Sequence, residues 1–531
     1  MKLNLKSLIN RYYGALTFLI IIAGVLRFVN LGYSDYQGDE IKSLFLPTPG
    51  QSVWNFLLEQ RKGPLQFVVT WIIKLLDPSY DNQFLARLPF ALAGLISVYF
   101  FYKLVKEHFG NRISLYATLF FLTNGFLVAF SRIVQYQSLA IMFMLGALYF
   151  MTLASVKKGF EIKGAFLGFF FWAISLLAHY DGVFIAPFFA YLTYLWWTSV
   201  DFDKKKKLKV LIGAGLLSAI ILGSFYIPFI IGLSGKTLDY WQGRLSGDIS
   251  GKISSSVYLF TVYQPIYVIH FYKVIAALGF LLTAFSFISK KSRFNLLLEK
   301  FSVSTIYNKK ALIALIAWII PALIFYEKVV HIPGTHIYVY LIPLFIFLSF
   351  GIYFIESIIK RIVGKNIGRS VFIYGVVLLF TFMYVQSYAV FVDNSVEYPW
   401  SEKKFLLWTF PRPNGIYHLS MFGFPYYRNW EGIRDFLKTS ALEPTIVAYS
   451  TNERKSLVRY FINLPKSSAK AGIFIYIKNP QSFINEIIER KPRYWVEHYS
   501  PVYTLSRNGD EIVRVYLMVP GGLRQLEEMG Y

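Results

Sequence analysis

Cysteine is missing from all 531 residues, which excludes a disulfide framework, thiolate catalysis and any cysteine-ligated metal. Acids are scarce as well: 30 Asp and Glu face 54 Lys and Arg, and charged residues make up only 16% of the chain. The polar faces that would break up the apolar stripes of a soluble protein are lacking over long stretches. No internal repeat points to the inverted symmetry of many transporters. No small-residue cleavage site follows the first apolar run, so that run reads as a retained span.

What is present is oil. Hydrophobic residues reach 55% and aromatic residues 19%. Whole stretches of about 20 residues are apolar all round, enough to cross a hydrocarbon core of roughly 30 Å. Runs such as "LIGAGLLSAIILGSFYIPFII" are too long and too uniform for the alternating strands of a barrel. The expected fold is an all-α polytopic membrane bundle of about 11 transmembrane helices with a small C-terminal α/β extracytoplasmic domain. Spans are expected at 14–32, 88–106, 113–131, 137–156, 164–179, 181–199, 208–231, 265–289, 311–326, 337–356 and 371–392. The membrane domain then covers 1–392, with a first outer loop at 33–87, and the outer domain covers 393–531.

The net charge of +24 would suggest nucleic acid in a soluble protein, but here it sorts by side. With a cytoplasmic N-terminus, the inner segments hold 24 Lys and Arg in 70 residues and the outer connections only 10 in 113. "KKKKLK" at 204–209 is the densest inner cluster. This bias places the N-terminus in the cytoplasm, the protein in the cytoplasmic (inner) membrane, and the C-terminal domain outside. No nucleic-acid partner is implied. Within the first outer loop, "GPLQFVVTWIIKLL" at 63–76 is too short to span and reads as a re-entrant or interfacial helix. Beyond 392, "TIVAYS" and "GIFIYI" read as buried strands and "SFINEIIERK" as an amphipathic helix. "VYTLSRNGDEIVRVYLMV" reads as a hairpin turning at Asn508-Gly509.

The chain spends its few acids selectively. "YSDYQGDEIKSLF", residues 33–45, puts Asp35, Asp39 and Glu40 where the chain leaves the first span, with Lys42 one helical turn after Asp39. Arg61 and Lys62 follow in the same loop, Arg87 opens the second span, and Arg132 sits at the outer end of the third. An acid pair outside a membrane is most often a solvated helix end. Acids and cations gathered in one outer layer, however, suit a transfer reaction. A carboxylate takes a proton from an acceptor hydroxyl, while Lys42, Lys62, Arg87 and Arg132 hold the phosphate of a lipid-linked donor.

Other residues carry weaker signals. "LLAHYDGVF" sets His179, Tyr180 and Asp181 at the outer end of the fifth span, as a helix-end device or as contacts within the same cavity. His331 and His336 lie five apart in an outer connection with no third ligand near them, so hydrogen bonding is favoured over a metal site. No metal ligand set is assigned and no cofactor is required, although a divalent cation held by the outer-loop acids stays open. Arg27, one turn from the outer end of the first span, is placed to snorkel, and Lys273 lies deeper in a span. Tyr33, Tyr36 and Trp241 are outer aromatics suited to stacking on sugars. Arg428, in "GFPYYRNWEGIRDFL", is either a closing phosphate contact or one half of an ion pair.

Three segments in order carry a family resemblance: "SDYQGDEIKSL", "RKGPLQFVVTWI" and "FLARLPFALAGLISVYFFYKLVKEHFG". Together they resemble the opening of the membrane-embedded glycosyltransferases of the C superfamily, in the branch of protein O-mannosyltransferases and lipid A aminoarabinose transferases. Asp39-Glu40 with Lys42 resembles that family's first-loop acid pair. Lys62-Gly63-Pro64-Leu65 resembles its Lys-Pro-Pro-Leu-like segment, with Gly for the first Pro, and Arg87-Leu88-Pro89 its Arg-Leu-Pro. The resemblance implies an inverting glycosyltransferase moving a sugar from a polyprenyl-phosphate donor to an acceptor protein, lipid or glycan. It implies Asp39 as general base, Glu40 as its assistant, and Lys42 and Lys62 on the donor phosphate, with Arg132 a further phosphate contact. Two other functions compete: an O-antigen ligase- or polymerase-like enzyme, and a transporter of lipid-linked glycans. The acid pair in the first loop, rather than Arg and His in a later one, favours the first.

Overall fold

The computed structural model describes residues 5–60, 63–233, 235–246, 309–330, 335–397, 423–440, 446–481, 493–507 and 509–518, with a few isolated positions between them. Lys62, Lys273, His331, Asn508, the expected span 265–289 and the expected helix 482–491 lie outside those residues, apart from isolated positions within that span. Helix α1 (Leu5–Phe28) covers most of the first expected span and ends in a short turn that releases the first loop. That loop carries three short helices, α2 (Gly38–Ile41), α3 (Val53–Leu58) and α4 (Leu65–Leu76). Helix α5 (Gln83–Thr123) joins two of the expected spans across a kink at Gly110, where a φ of 82° is open to glycine at little steric cost. The chain continues through α6 (Gly125–Ser131), α7 (Tyr136–Val156) and α8 (Glu161–Ala178). After a 3-10 turn at Tyr180–Ile185 come α9 (Ala186–Ser199), α10 (Lys204–Ile231) and α11 (Gly235–Ser246). Later helices run Lys309–Ile324, Tyr338–Ile362 and Lys365–Phe391.

Among the described residues seven helices are long and apolar enough to cross a membrane. Their positions follow apolar length and capping. Asp203 caps α10 by accepting from the Lys206 N–H at 2.6 Å, and the lysine run fills its first turn. The 28 residues of α10 then rise about 42 Å, while its isoleucines and leucines at 212, 216, 220, 227 and 230 stay exposed, as a lipid-facing surface requires. Tyr338–Ile362 is the opposite case, buried along most of its length at the bundle centre. Arg27 does not snorkel. It is fully buried and donates from one terminal nitrogen to the Ala23 carbonyl at 3.1 Å, lodged where Gly94, Ser97 and Ser131 leave room beside α1.

The C-terminal residues build a four-stranded sheet from β1 (Tyr449–Thr451), β2 (Ile473–Ile477), β3 (Tyr503–Arg507) and β4 (Asp510–Leu517), in the order β1-β2-β4-β3. β1 and β2, expected as buried strands, pair in parallel, and β3 and β4 form the expected hairpin with Gly509 at φ 84°. This unit sits directly on the first outer loop. The Asp35 N–H donates to the Tyr426 carbonyl at 3.1 Å, Tyr460 donates to the Ser79 carbonyl at 3.1 Å, and Gly38 packs against Arg454 and Ser456. The loop is thereby clamped between the bundle and the sheet unit.

Candidate active site at the outer face

The acid pair splits into two different environments. Gln37 caps the one-turn helix α2, in which the Glu40 carboxylate turns back to accept from the Gln37 N–H at 2.9 Å. Glu40 is fully buried. Its two oxygens also accept from Arg87 Nε at 2.8 Å, from a terminal Arg87 nitrogen at 2.9 Å and from the Val134 N–H at 2.9 Å. Arg87 spends its remaining donors on the carbonyls of Leu31, Ser34 and Asp35. A guanidinium has five N–H donors, and these contacts use all of them.

This geometry corrects three expectations. Arg87 has no donor left for a phosphate, and Glu40 has no lone pair left to assist an acceptor. The pair instead ties the outer loop to α5 and to the turn before α7. Arg132 is also committed: from inside the protein it caps the end of α1, donating to the carbonyls of Leu26, Val29 and Asn30 at 2.9–3.2 Å. Arg428 is buried and bridges to Glu397 at 2.6 Å, with its Nε on the Lys478 carbonyl and its guanidinium 3.9 Å from the Tyr426 ring centroid. Its backbone N–H meets Asp35 Oδ2 at 2.5 Å, which makes it a clasp between loop and sheet unit. Burial pushes the Asp35 carboxyl up to about 7, against the opposing pull of the Arg428 N–H and charge.

Asp39 differs from Glu40. A quarter of its side chain is exposed, and it pairs with Lys42 Nζ at 3.2 Å, whose own side chain is 57% exposed.

A second centre lies where the loop meets the bundle. Gly63 approaches the end of α8 so closely that a Cβ on it would fall 2.1 Å from the Leu177 carbonyl oxygen. Glycine is therefore required where the family resemblance shows a departure from proline. The same Gly63 lines a cavity of about 440 Å³, walled by Phe225, Tyr226 and Phe229 of α10, Trp241 of α11, and Tyr180, Tyr326 and His336. Trp241 is thus the one of the three expected stacking aromatics on the cavity wall; Tyr33 instead donates to Glu397 and Tyr36 to the Tyr80 carbonyl. Asp39, Glu40 and Lys42 do not line this cavity.

Beside the cavity, four side chains aim at Asp181, which is fully buried. Tyr326 donates to Oδ1 at 2.9 Å and Tyr338 to Oδ2 at 2.6 Å; His336 Nδ1 lies 2.8 Å from Oδ2 and His179 Nδ1 3.1 Å from Oδ1. His179 and Tyr180 are thus brought to the site as the sequence allows. The pairing of Asp181 with His336 is the part that was missed, because 155 residues separate them. The available signal was the recurrence of His-Tyr pairs at two outer span ends, "AHYD" and "THIY".

Known proteins agree with this architecture. Residues 62–227 match the dolichyl-phosphate-mannose-protein mannosyltransferase family. The archaeal oligosaccharyltransferase AglB from Archaeoglobus fulgidus, solved with an inhibitory peptide and a dolichol-phosphate, superposes with a TM-score of 0.51 at 10% identity, covering 88% of this chain and 69% of that one. ArnT from Cupriavidus metallidurans in the apo state gives a TM-score of 0.49 at 12% identity, over 95% of this chain and 98% of that one. No curated protein sequence matches. The chain therefore shares its fold with that archaeal oligosaccharyltransferase, and residues 62–227 carry the mannosyltransferase family match.

Proposed function

We propose that the protein is an inverting glycosyltransferase that moves a sugar from a polyprenyl-phosphate carrier to an acceptor at the outer face of the cytoplasmic membrane. The observation that carries this reading is the aromatic cavity at the outer ends of α8 and α10, walled on one side by Gly63 of the acid-bearing loop. Its apolar lining suits the first isoprene units of a carrier. Lys62, the residue before Gly63, and Lys42 supply the charge for the phosphate, as compact cations rather than as clamps. The family matched over 62–227 bears a lipid-phosphate sugar in its name, which supports the donor class.

In the proposed reaction an acceptor hydroxyl attacks the anomeric carbon and the bond from that carbon to the phosphate oxygen breaks. The polyprenyl phosphate departs with the electron pair, and Asp39 takes the hydroxyl proton. Asp39 suits this role because its side chain is reachable by solvent and held only by Lys42 among the contacts described. Glu40 and Arg87 are positioning residues that hold α2 rigid beneath it. The N-terminus is cytoplasmic in this reading, and the sheet unit covers the loop from outside. The test is transfer by the purified protein from a polyprenyl-phosphate hexose, together with mass spectrometry of glycopeptides and envelope glycans from cells with and without the gene. Absence of any gene-dependent glycan product in both arms overturns the proposal.

A further inference from the structure

Asp181 is surrounded in a way that hydrogen bonding between side chains does not fully explain. The Asp181 N–H donates to His179 Nδ1 at 3.2 Å, which makes that ring nitrogen an acceptor. The same nitrogen also stands 3.1 Å from the carboxylate Oδ1, so two lone-pair atoms face one another. His336 Nδ1 stands 2.8 Å from the other oxygen, and ligating atoms of the three residues all lie within 4.8 Å of one another. The 3.1 and 2.8 Å separations match ligand-to-ligand edges of a small coordination polyhedron, and a cation at its centre would take the His179 lone pair in place of the Asp181 N–H.

We propose that His179, Asp181 and His336 bind one divalent transition-metal ion of the zinc class, with an open coordination position towards the aromatic cavity. Two imidazole nitrogens and one carboxylate oxygen form a borderline ligand set that suits zinc and disfavours calcium or magnesium, which prefer oxygen. The outer contacts fit as well. Tyr326 and Tyr338 hydrogen-bond the carboxylate as supporting groups do around ligating acids. Stacking fixes both rings: Tyr136 lies 4.0 Å from His179 at an interplanar angle of 11°, and Tyr326 lies 5.7 Å from His336 at 12°. The open side follows from exposure, since Asp181 is sealed and His179 nearly so, while His336 lines the cavity with Tyr180 and Tyr326. An ion there meets an anionic group entering the cavity, and in the donor reading above, on which this last step rests, that group is the carrier phosphate.

The test uses the full-length protein in detergent, stripped with chelator and titrated with zinc chloride, with bound metal counted by mass spectrometry and affinity measured by calorimetry. The expected result is about one zinc per chain, with affinity lowered roughly tenfold or more by His336→Gln and by Asp181→Asn, and little changed by Tyr180→Phe. His336 is at the cavity edge, so His336→Gln remains decisive if Asp181→Asn fails to fold. No stoichiometric zinc in the wild type, or undiminished binding in a folded His336→Gln variant, overturns the site and leaves an Asp–His proton network in its place. The two proposals separate cleanly: sugar transfer without zinc uptake sinks the metal site alone, and zinc uptake without transfer sinks the donor reading alone.

Discussion

Glu40 and Asp181 are both fully buried carboxylates, and each has four polar atoms within hydrogen-bond distance. The difference is in the donors. Glu40 faces a guanidinium and two backbone amides, groups that keep their protons and charge at any physiological pH. Asp181 faces two imidazoles and two phenols beside a cavity, groups that can exchange protons, bind metal or turn towards a ligand. Burial and saturation alone therefore do not separate a buttress from a reactive centre. The chemistry of the partners and the presence of open space next to them do.

The first way to break this comparison is to remove one partner from the buttress. Arg87→Met leaves Glu40 buried and uncompensated and is expected to destabilise the protein by about 3–5 kcal/mol, read as a loss of thermal unfolding temperature in detergent. Asp181→Asn keeps the shape and one accepting oxygen at the other centre. Its expected cost is smaller, about 1–3 kcal/mol in the same assay. A reversed order of these two stabilities would contradict the division into buttress and reactive centre.

A third variant sharpens the picture at the clasp between loop and sheet unit. Because burial lifts Asp35 from 3.8 to about 7, its charged form is the unfavourable one in the folded state. The clasp is therefore at full strength below about pH 4 and weakens as pH rises through about 7. Hydrogen exchange of the 33–36 amides is expected to quicken over that window in the wild type, and the pH slope to flatten in Asp35→Asn. The smallest effect belongs to Lys42→Ala. It is expected to change stability by no more than about 0.5 kcal/mol, because the Asp39 pair is largely exposed, while weakening use of the donor.

These contrasts also mark what the sequence can show. The spans followed from apolar length, and charge bias along the loops set their proposed orientation, both being local properties. The hairpin at Gly509 and the two buried strands were legible for the same reason, from turn chemistry and short apolar runs, whereas the parallel pairing of those strands was not. Arg87 was visible as a cation near the acids, but its 47-residue separation from Glu40 hid that the two neutralise each other. Arg132 looked like a phosphate ligand because it sits at a span end, and only the packing of α6 against α1 shows that it serves carbonyls instead. Asp181 was in view beside His179, yet its meaning depends on Tyr326, His336 and Tyr338, which arrive from a helix pair far along the chain. Pairings that tertiary packing creates leave no period or spacing to read.

The central claim is that Asp39, and not its buried neighbour, performs the proton transfer of a lipid-phosphosugar transferase. Its most direct test is the single-turnover transfer rate of Asp39→Asn against the wild type, with the unfolding temperature of both measured alongside. The account predicts a loss of at least about 100-fold in rate at an unchanged unfolding temperature. Turnover within a few-fold of the wild type in that variant would contradict it.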